Sequence, residues 1–521
     1  MKPSHYNRKL SNKLQLLILL TGIQLSTFSQ TNSPDSSFQK QFNNFNTSIK
    51  QDFNTFRQHN DSLFLKFLSG SWKEFDAVQN KIPSPPKPVE PPTYKAPVIP
   101  VVPRSDSILH QTPDSIRTQP ILEPRSGIMD KEQNPQKIEL PDENQPLPVK
   151  TEIIPEQAAI SNALPMTKIA YYGTDFNIPS NIRGLPVVAA LTKQGVAQYF
   201  ASASASSVLN SAALTVKKEA DECRLNDWGM ANLMMQAAKK MYPRQIDQVL
   251  FTWFALLRNG YNVKVGYDQQ NAYLLLPSNE LLYELSYTVN GREYYLLNFS
   301  SEQLQPERLS IHEADYPQGI TGLSFLITQT PELSNLFTPR TLKLSPALEL
   351  KLNKNLIDFY KSYPQCELKV FFKAPVSAST ISQLDAYFLP SLTNKNDDEK
   401  VAFLLEFVHK AIPYKTDGQQ FGHEKYLFAD ETLYYPAADC EDRAVLLAKL
   451  INRYTKCKAI GLSYPTHVSV AVNLSALPNG KFITYKNLKY FHCDPTYIGA
   501  ACGMLMSEFE NVTPIIIDFN Q

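Results

Sequence analysis

The chain has 521 residues, and its 51 Lys and Arg side chains balance 50 Asp and Glu, giving a formal net charge of +1. A dedicated nucleic-acid-binding protein would show a basic surplus or a basic stripe, so this balance argues against that class. Six cysteines in a chain of this length do not make the disulfide framework of a small secreted domain.

Residues 1–29 are typical of a secretory signal peptide. Basic side chains precede an apolar run, Leu14 to Leu25, that is too short and too interrupted to span a bilayer. Small residues at 26–29 offer a cleavage site, and an uncleaved anchor helix is the alternative. We therefore expect an exported protein, either periplasmic or associated with the cell envelope, or else secreted. No later segment has about 18 uncharged apolar residues, so we expect the mature chain not to span a membrane.

Residues 30–80 carry a regular apolar stripe. From Phe38 to Phe56, Phe and Ile side chains recur at steps of 3 or 4 residues, and a weaker pattern continues from Leu63 to Phe75. This spacing predicts a Phe-rich amphipathic helix. Its apolar face must pack on the rest of the chain, on a second copy, or on a protein partner, so self-association or partner binding through residues 38–75 stays open.

Proline is concentrated in the next segment, residues 81–165. Of the 38 prolines, 18 lie between Pro83 and Pro165. Proline at this density removes backbone donors and holds the chain extended, which predicts a disordered or semi-rigid linker. A spacer between an apolar helix and a globular region suggests that the helix tethers the rest of the protein.

From residue 166 onward the composition is typical of globular domains, and it contains a weak internal repeat. Residues 256–276 parallel residues 450–470, and residues 293–298 parallel 489–493, each as a helix end followed by strands. We expect an α+β fold in which one core is present twice. The predicted regions are a degenerate first copy at 166–335, a small α/β connecting unit at 336–394, and a catalytic domain at 395–521.

Two finer predictions concern these regions. In the connecting unit, we expect one helix between strands at 347–352 and 367–372. At the offset of the repeat, Cys440 falls on Gln245 or Ile246, His467 on Ala272, and Asp494 on Phe299. The first copy therefore lacks the cysteine, the histidine and the aspartate that the second copy has at these positions.

Three residues in the C-terminal region have the order and spacing of a nucleophile, a base and an orienting carboxylate. Cys440 follows Asp439, a good N-cap residue, at the start of a predicted helix, where negative charge is favoured. His467 begins one strand-like run and Asp494 ends another, each 27 residues after the preceding member. This pattern predicts a Cys440–His467–Asp494 catalytic triad with a thiolate–imidazolium pair. Tyr435 is a candidate oxyanion donor.

Each of these residues also has an ordinary structural interpretation. A buried Cys is often a small hydrophobe, a His at a strand start is often a surface residue, and Asp-Pro is often a turn. A zinc site is the other chemistry available to Cys and His, but the expected C-x₂-C and H-x₃-H spacings are absent. We predict no metal and no cofactor. If Cys440 stays free, the five other cysteines allow at most two disulfides, which the sequence does not pair.

These segments resemble the transglutaminase-like superfamily of cysteine enzymes, in its bacterial exported branch. The resemblance rests on Asp439-Cys-Glu-Asp-Arg443, Pro465-Thr-His-Val468, Cys493-Asp-Pro-Thr-Tyr497 and the upstream segment Phe407–Tyr414. It implies a papain-like core, present in residues 395–521 and in degenerate form in the first copy, with the triad at Cys440, His467 and Asp494. The superfamily includes amide cross-linking enzymes, peptidases, amidases and inactive binding modules. No acidic cluster with calcium-loop spacing occurs, so calcium dependence is not implied.

The sequence therefore predicts an exported cysteine acyl-transfer enzyme that acts on peptide or amide bonds through a thioester, with a protein or peptide as substrate. Hydrolysis is favoured over cross-linking because water is always present, whereas an acceptor amine needs a second site. The alternative is a catalytically silent transglutaminase-fold protein that serves as a binding or scaffold element of the cell envelope. A peptidoglycan-directed amidase would also suit the compartment, although no wall-binding motif is recognisable.

Overall fold

The computed structural model describes residues 36–70, 72–78, 87–95, 165–180, 184–297, 299, 305–475, 477 and 479–520. The predicted signal peptide and most of the predicted linker lie outside these residues. The chain divides into two units, residues up to Leu63 and residues from Phe64 onward. The described part is α+β, as expected. The predicted boundaries near residues 335 and 394 stay predictions.

The Phe-rich segment forms helix α1 (Ser36–Leu68), as its periodicity predicts, but the helix is shorter than expected. Gly70 follows the last turn, where helices commonly end. Strand β1 (Trp72–Asp76) then pairs antiparallel with a later strand, so the prediction of helix up to residue 80 is wrong. The Trp72 and Phe75 side chains continue the apolar pattern, but pairing with a sheet edge decides their backbone conformation.

The next elements are a hairpin and a group of helices that precede the first sheet. The hairpin joins β2 (Met166–Tyr171) and β3 (Thr174–Pro179). In chain order, the helices are α2 (Lys193–Ala205), α3 (Ser207–Glu222), α4 (Asp227–Met241) and α5 (Gln245–Arg258).

The first sheet has six antiparallel strands in the order β1-β8-β4-β5-β7-β6. Helix α5 lies against strands β4 and β5, which follow it in the chain. The strands after β1 are β4 (Lys264–Tyr267), β5 (Ala272–Leu276), β6 (Ser286–Val289), β7 (Arg292–Leu296) and β8 (Arg308–His312).

The connecting region holds a two-stranded sheet and three helices. Strands β9 (Phe337–Leu342) and β10 (Leu348–Asn353) pair antiparallel, which confirms the first strand expected there. The second expected strand, at 367–372, is wrong, because helix α7 (Leu368–Lys373) occupies that position. Leu368, Phe371 and Phe372 are buried at helical spacing, and that pattern outweighs the apparent alternation. The other helices are α6 (Lys354–Lys361) and α8 (Ala378–Leu392).

Four helices and the second sheet complete the chain. Helix α9 (Asp397–Ala411) begins with a capping box in which Asn396 and Glu399 satisfy each other's backbone donors. The next helices are α10 (Asp417–Gln420), α11 (Ala429–Tyr434) and α12 (Cys440–Tyr454). The strands are β11 (Ala459–Tyr464), β12 (His467–Val472), β13 (Phe482–Tyr485), β14 (Leu488–Cys493) and β15 (Ile515–Ile517).

The second sheet is also antiparallel, in the order β13-β14-β12-β11-β15. Helix α12 lies against strands β11 and β12, and its predicted apolar face, including Ala444, Leu447 and Ile451, is fully buried. Each sheet has the main hydrophobic core on one face and a smaller apolar cluster on the other. The main core therefore holds the start of α12 and the start of β12 close to each other.

None of the helices in the described ranges combines the length and the apolar character needed to cross a membrane.

Candidate functional site

Helix α12 begins at Cys440, as the sequence predicts, and Asp439 occupies the N-cap position. The side chain of Asp439 makes no capping bond to the helix. Its Oδ2 atom instead accepts hydrogen bonds from Lys87 Nζ at 3.0 Å and from the backbone N–H of Asp417 at 3.3 Å. The predicted capping role of this side chain is therefore wrong, because a buried ammonium group competes for the carboxylate.

The Cys440 thiol is buried, with 1% of the residue exposed, and it lies beside a carboxylate. Its Sγ atom is 3.1 Å from Oε2 of Glu441. Burial first, and then the charge of Glu441, raise the pKa of Cys440 well above that of an ordinary thiol, although Lys87 and the backbone of Val468 act to lower it. This direction opposes the thiolate that the helix start and His467 led us to expect, which stays a prediction.

His467 and Asp494 meet as the sequence predicts. Strands β12 and β14 are neighbours, and Nε2 of His467 lies 2.7 Å from Oδ2 of Asp494. The other carboxylate oxygen accepts hydrogen bonds from the backbone N–H groups of Thr496 and Tyr497 at 2.8 and 3.1 Å. Burial alone would raise the pKa of Asp494, but His467 and these donors outweigh it and lower the pKa.

The ring of His467 is held in place by a residue that the sequence analysis did not identify. Phe509 stacks on the imidazole with a centroid distance of 5.4 Å and an interplanar angle of 9°. Because Nε2 is engaged by Asp494, Nδ1 is the ring nitrogen that remains for the proton of a thiol. A Phe in a short 3₁₀ helix near the C-terminus carries no sequence signal for this role.

Cys440 approaches the strand of His467. The helix that begins at Cys440 packs against the strand that begins at His467, and the backbone of Val468 acts to lower the pKa of Cys440. Among the hydrogen bonds of the described residues, none joins Sγ to the imidazole. The structure therefore brings His467 and Asp494 into direct contact and brings Cys440 to the same strand, with its thiol bonded to Glu441.

Two further residues support this arrangement from helix α9 and helix α12. His409 Nε2 lies 3.0 Å from the backbone oxygen of Asp494, at the turn that carries the carboxylate. Arg443 is buried, and its Nη2 donates to the backbone oxygens of Val408 and His409 at 3.3 and 3.4 Å. The arginine of the Asp439–Arg443 motif thus joins α12 to α9 and positions the site.

Lys87 is the most unexpected residue at the site, because it comes from the predicted linker. Its Nζ atom is 2.6 Å from Glu424 and 3.0 Å from Asp439, and it also contacts Glu441. Its side chain is only 3% exposed. Burial alone would lower the pKa of Lys87, but the neighbouring acidic groups, led by Glu441, outweigh it and raise the pKa. Residues 87–95 of the predicted disordered or semi-rigid linker are thus extended and bound to the C-terminal region.

The fold also brings together carboxylates that are scattered in the sequence. Two overlapping groups, Asp417–Glu424–Glu441 and Asp417–Asp439–Asp442, have oxygen atoms within 4.8 Å of one another. Burial, followed by Glu441, raises the pKa of Asp417 to about 8. Sequence spacing gave no sign of this cluster, because its members come from the starts of helices α10 and α12 and from the loop between α10 and α11. The ammonium group of Lys87 lies among these carboxylates.

Tyr435, the candidate oxyanion donor, belongs to an aromatic group. Its ring lies 5.0 Å from Phe421, and the ammonium of Lys425 lies 5.7 Å from its centroid. Its backbone oxygen accepts from Arg340 at 3.2 Å. No contact within the described ranges joins its hydroxyl to Cys440, so the oxyanion role stays a prediction.

Comparison with protein-family models, with curated proteins and with solved structures gave no significant match.

Proposed function

We propose that the protein is a cysteine acyl-transfer enzyme of the transglutaminase-like type, acting on peptide or amide bonds. The observation that carries this proposal is the buried contact of 2.7 Å between His467 Nε2 and Asp494 Oδ2, beside a Cys at a helix N-terminus. A carboxylate that engages one ring nitrogen fixes the tautomer of the imidazole and leaves the other nitrogen to act as a base.

The proposed reaction has two stages. In the first, Cys440 Sγ passes its proton to Nδ1 of His467 and attacks the carbonyl carbon of the amide, and the C–N bond then breaks. The leaving amine takes the proton from His467, and the acyl group remains on sulfur as a thioester. In the second stage, water gives a proton to His467 and attacks the thioester, which releases a carboxylic acid and restores the thiol. An amine in place of water would give transfer.

The helix start provides the remaining element of the site. The backbone N–H of Cys440 lies in the first turn of α12, where donors have no partner within the helix. Such a donor stabilises the oxyanion of a tetrahedral intermediate. The proposal requires Sγ to move away from Glu441 and towards His467, because the thiol is hydrogen-bonded to the Glu441 carboxylate in the structure.

The bond to Glu441 and the raised pKa of Cys440 favour a second candidate, a catalytically silent binding or scaffold protein. In that case His467 and Asp494 would only stabilise the strand ends. The two candidates share a fold, for which we propose a papain-like core and an internal duplication. The matching strand orders, β8-β4-β5-β7-β6 and β15-β11-β12-β14-β13, support the duplication.

We also propose that the protein is exported. Cys493 and Cys502 form a disulfide within the described part of the chain, and disulfides persist mainly in oxidising compartments. This agrees with the signal-like sequence of residues 1–29. Cys223, Cys366, Cys440 and Cys457 are free thiols.

The experiment that tests the proposed function is the rate of Cys440 alkylation as a function of pH, in the wild type and in His467→Ala. Peptide mass mapping separates Cys440 from the other free cysteines. The shape of the profile decides the matter, since a buried thiol lowers the rate at every pH. We expect a rate that reaches its plateau near neutral pH and loses that plateau in the variant. A rate that rises only near an ordinary thiol pKa of about 8.5 in both proteins would favour the scaffold.

A further inference from the structure

Residues 87–95 lie along the C-terminal part of the molecule as an extended strand-like segment, which we call the strap. The backbone oxygen of Pro88 accepts a hydrogen bond from the Tyr414 hydroxyl at 2.9 Å. Further along, the backbone N–H of Tyr94 donates to Ile498 O at 2.8 Å. The N–H of Ile498 in turn donates to Pro92 O at 2.9 Å. The strap is thus bound through its backbone, in the way that a peptide adds to a strand.

Both ends of the strap contact residues close to the candidate site. Tyr497, whose ring lies 5.8 Å from Tyr94, follows closely after Asp494 in the chain. At the other end, charge on Cys440 contributes to the raised pKa of Tyr414, after burial, so the tyrosine that contacts Pro88 lies near the thiol. The strap therefore contacts residues that neighbour both Cys440 and Asp494.

The contact that anchors the strap is an ammonium group in an acidic pocket. Lys87 Nζ donates hydrogen bonds to Asp439 and Glu441 and forms an ion pair with Glu424 at 2.6 Å. Oδ1 of Asp439 and Oδ2 of Asp442 are buried without a hydrogen-bond partner, so the pocket has acceptor capacity beyond its contacts with Lys87. Buried carboxylates of this kind are costly unless a cation compensates them.

We propose that this pocket binds the primary ammonium group of an extended, lysine-bearing peptide, and that Lys87 occupies it in cis. That the pocket is a substrate site rests on the proposed function. That it binds a lysine-bearing peptide does not. Three features of the strap indicate the chemistry of the ligand: a lysine side chain, proline on the following position, and a backbone bound in extended form.

Occupancy in cis has a direct consequence for Cys440. A ligand tethered to its own site acts at a high effective concentration, so a free peptide must compete with it. Departure of the strap would remove the Lys87 ammonium from Asp439 and Glu441, the two neighbours of Cys440 in the chain. In the wild-type protein, the strap would therefore fill the ammonium pocket of its own chain.

The first experiment uses the wild-type chain with no substitution. Acetylation with a lysine-reactive reagent, followed by peptide mapping, compares Lys87 with Lys95, which lies in the same strap and is exposed. The Lys87 ammonium must leave its hydrogen bonds to charged carboxylates before it can react, so we expect Lys87 to react roughly tenfold or more slowly than Lys95. Equal rates would overturn the proposal.

The second experiment measures binding in trans. A fluorescent synthetic peptide with the sequence of residues 83–97 is added to full-length Lys87→Met, and its anisotropy is recorded. We expect binding that is at least about tenfold weaker when norleucine replaces the lysine at position 87 of the peptide, and unchanged when it replaces the lysine at position 95. Wild-type protein, with its pocket filled, should bind the peptide more weakly than Lys87→Met.

The outcomes separate this proposal from the proposed function. Lysine-dependent binding together with an unactivated Cys440 would support the pocket and reject the enzyme. Equal binding of the lysine and norleucine peptides would overturn the pocket, whatever the reactivity of Cys440. Lys87→Met that gains a Ca²⁺ site and excludes the peptide would also overturn it, since the same carboxylates lie close enough to hold a metal ion.

Discussion

The starts of helices α5 and α12 offer a direct comparison, because each helix is followed by strands in the same order. In the first, Gln245 begins the helix and its Nε2 donates to the backbone oxygen of Ala272, at the start of β5, at 2.8 Å. In the second, Cys440 begins the helix, which packs against strand β12, and His467 begins that strand. The fold brings a helix start and a strand start together in both places, and the side chains present there determine the chemistry.

The third position extends this comparison. Asp494 holds His467 in the second sheet, whereas Phe299, the residue at the same offset, stacks on Trp228 with a centroid distance of 5.2 Å. An amide that bonds a backbone oxygen, a buried methyl group and a stacked aromatic ring at these three positions supply neither a nucleophile nor a base. The first two positions are equivalent in the two sheets, but the third is not. Leu275 pairs with Leu296 and Val470 pairs with Cys493, so Leu297, and not Phe299, occupies the place of Asp494.

The largest effect that we expect distinguishes the two helix starts. Cys440→Ala should lower the rate of amide cleavage, measured on a substrate from a peptide screen, by a factor on the order of 10⁴ or more, because no thioester can form. Gln245→Ala is the matched control, and it should leave the rate unchanged. Full activity in Cys440→Ala would reject the enzyme, and a comparable loss in both variants would break the comparison.

The next effect concerns the carboxylate. Asp494→Asn keeps the shape of the side chain but presents a different donor and acceptor pattern to Nε2 of His467. A wrong tautomer at the base should lower kcat roughly 10³–10⁴-fold. Asp518→Asn, which alters a carboxylate bonded to Lys486 on the same sheet, serves as the control and should retain activity. An unchanged kcat in Asp494→Asn would show that the contact only stabilises the sheet.

Much of this second-sheet arrangement was predictable from the sequence. Strand periodicity placed His467 and Asp494 at the ends of neighbouring strands, and the contact at 2.7 Å confirms their proximity. Local patterns could not identify Lys87, because its partners are more than 300 residues away in the chain and its own segment has the composition of a linker. The same limit explains the missed acidic cluster. Burial and tertiary neighbours set the pKa of Cys440, and neither is visible in a helix-start motif.

A further effect concerns a buried histidine of the first sheet. Burial, followed by the charge of Lys264, lowers the pKa of His312 to about 3. The unfolded chain, with an ordinary His pKa of about 6.5, binds the proton first, so folding stability is present above about pH 6.5 and is lost as the pH falls towards 3. Each pKa unit corresponds to about 1.4 kcal/mol, so the loss amounts to several kcal/mol.

This loss is measured by urea unfolding at pH 7 and pH 4. His312→Phe should remove about half of the part of this difference that the two buried histidines contribute, because His492, with a pKa of about 4, also resists protonation over this pH range. His423→Gln changes an exposed histidine and should leave the difference unchanged. The second sheet has its own buried histidine, His492, whose pKa burial lowers to about 4. If His492→Phe rather than His312→Phe removes the acid sensitivity, the second sheet is the acid-labile part.

The smallest effect concerns the disulfide between Cys493 and Cys502, which ties the end of β14 to the loop beyond Asp494. The corresponding region of the first sheet has no such tie, since Cys223 is the single cysteine between residues 166 and 335 and is free. Closing a loop of about ten residues stabilises a fold by about 2–3 kcal/mol in the chain-entropy description.

The double substitution Cys493→Ala and Cys502→Ala should therefore lower the free energy of unfolding by about 2–3 kcal/mol. Reductant should bring the wild type towards the same value and leave the double variant unchanged, whereas Cys457→Ala, which removes a free thiol, is the control. The pH profile of Cys440 alkylation in the double variant then shows whether the disulfide affects the candidate site. An unchanged profile would limit the disulfide to stability. A lost plateau would mean that the disulfide holds Asp494 in position. The first sheet, with Phe299 at that sequence offset, has no carboxylate there to hold.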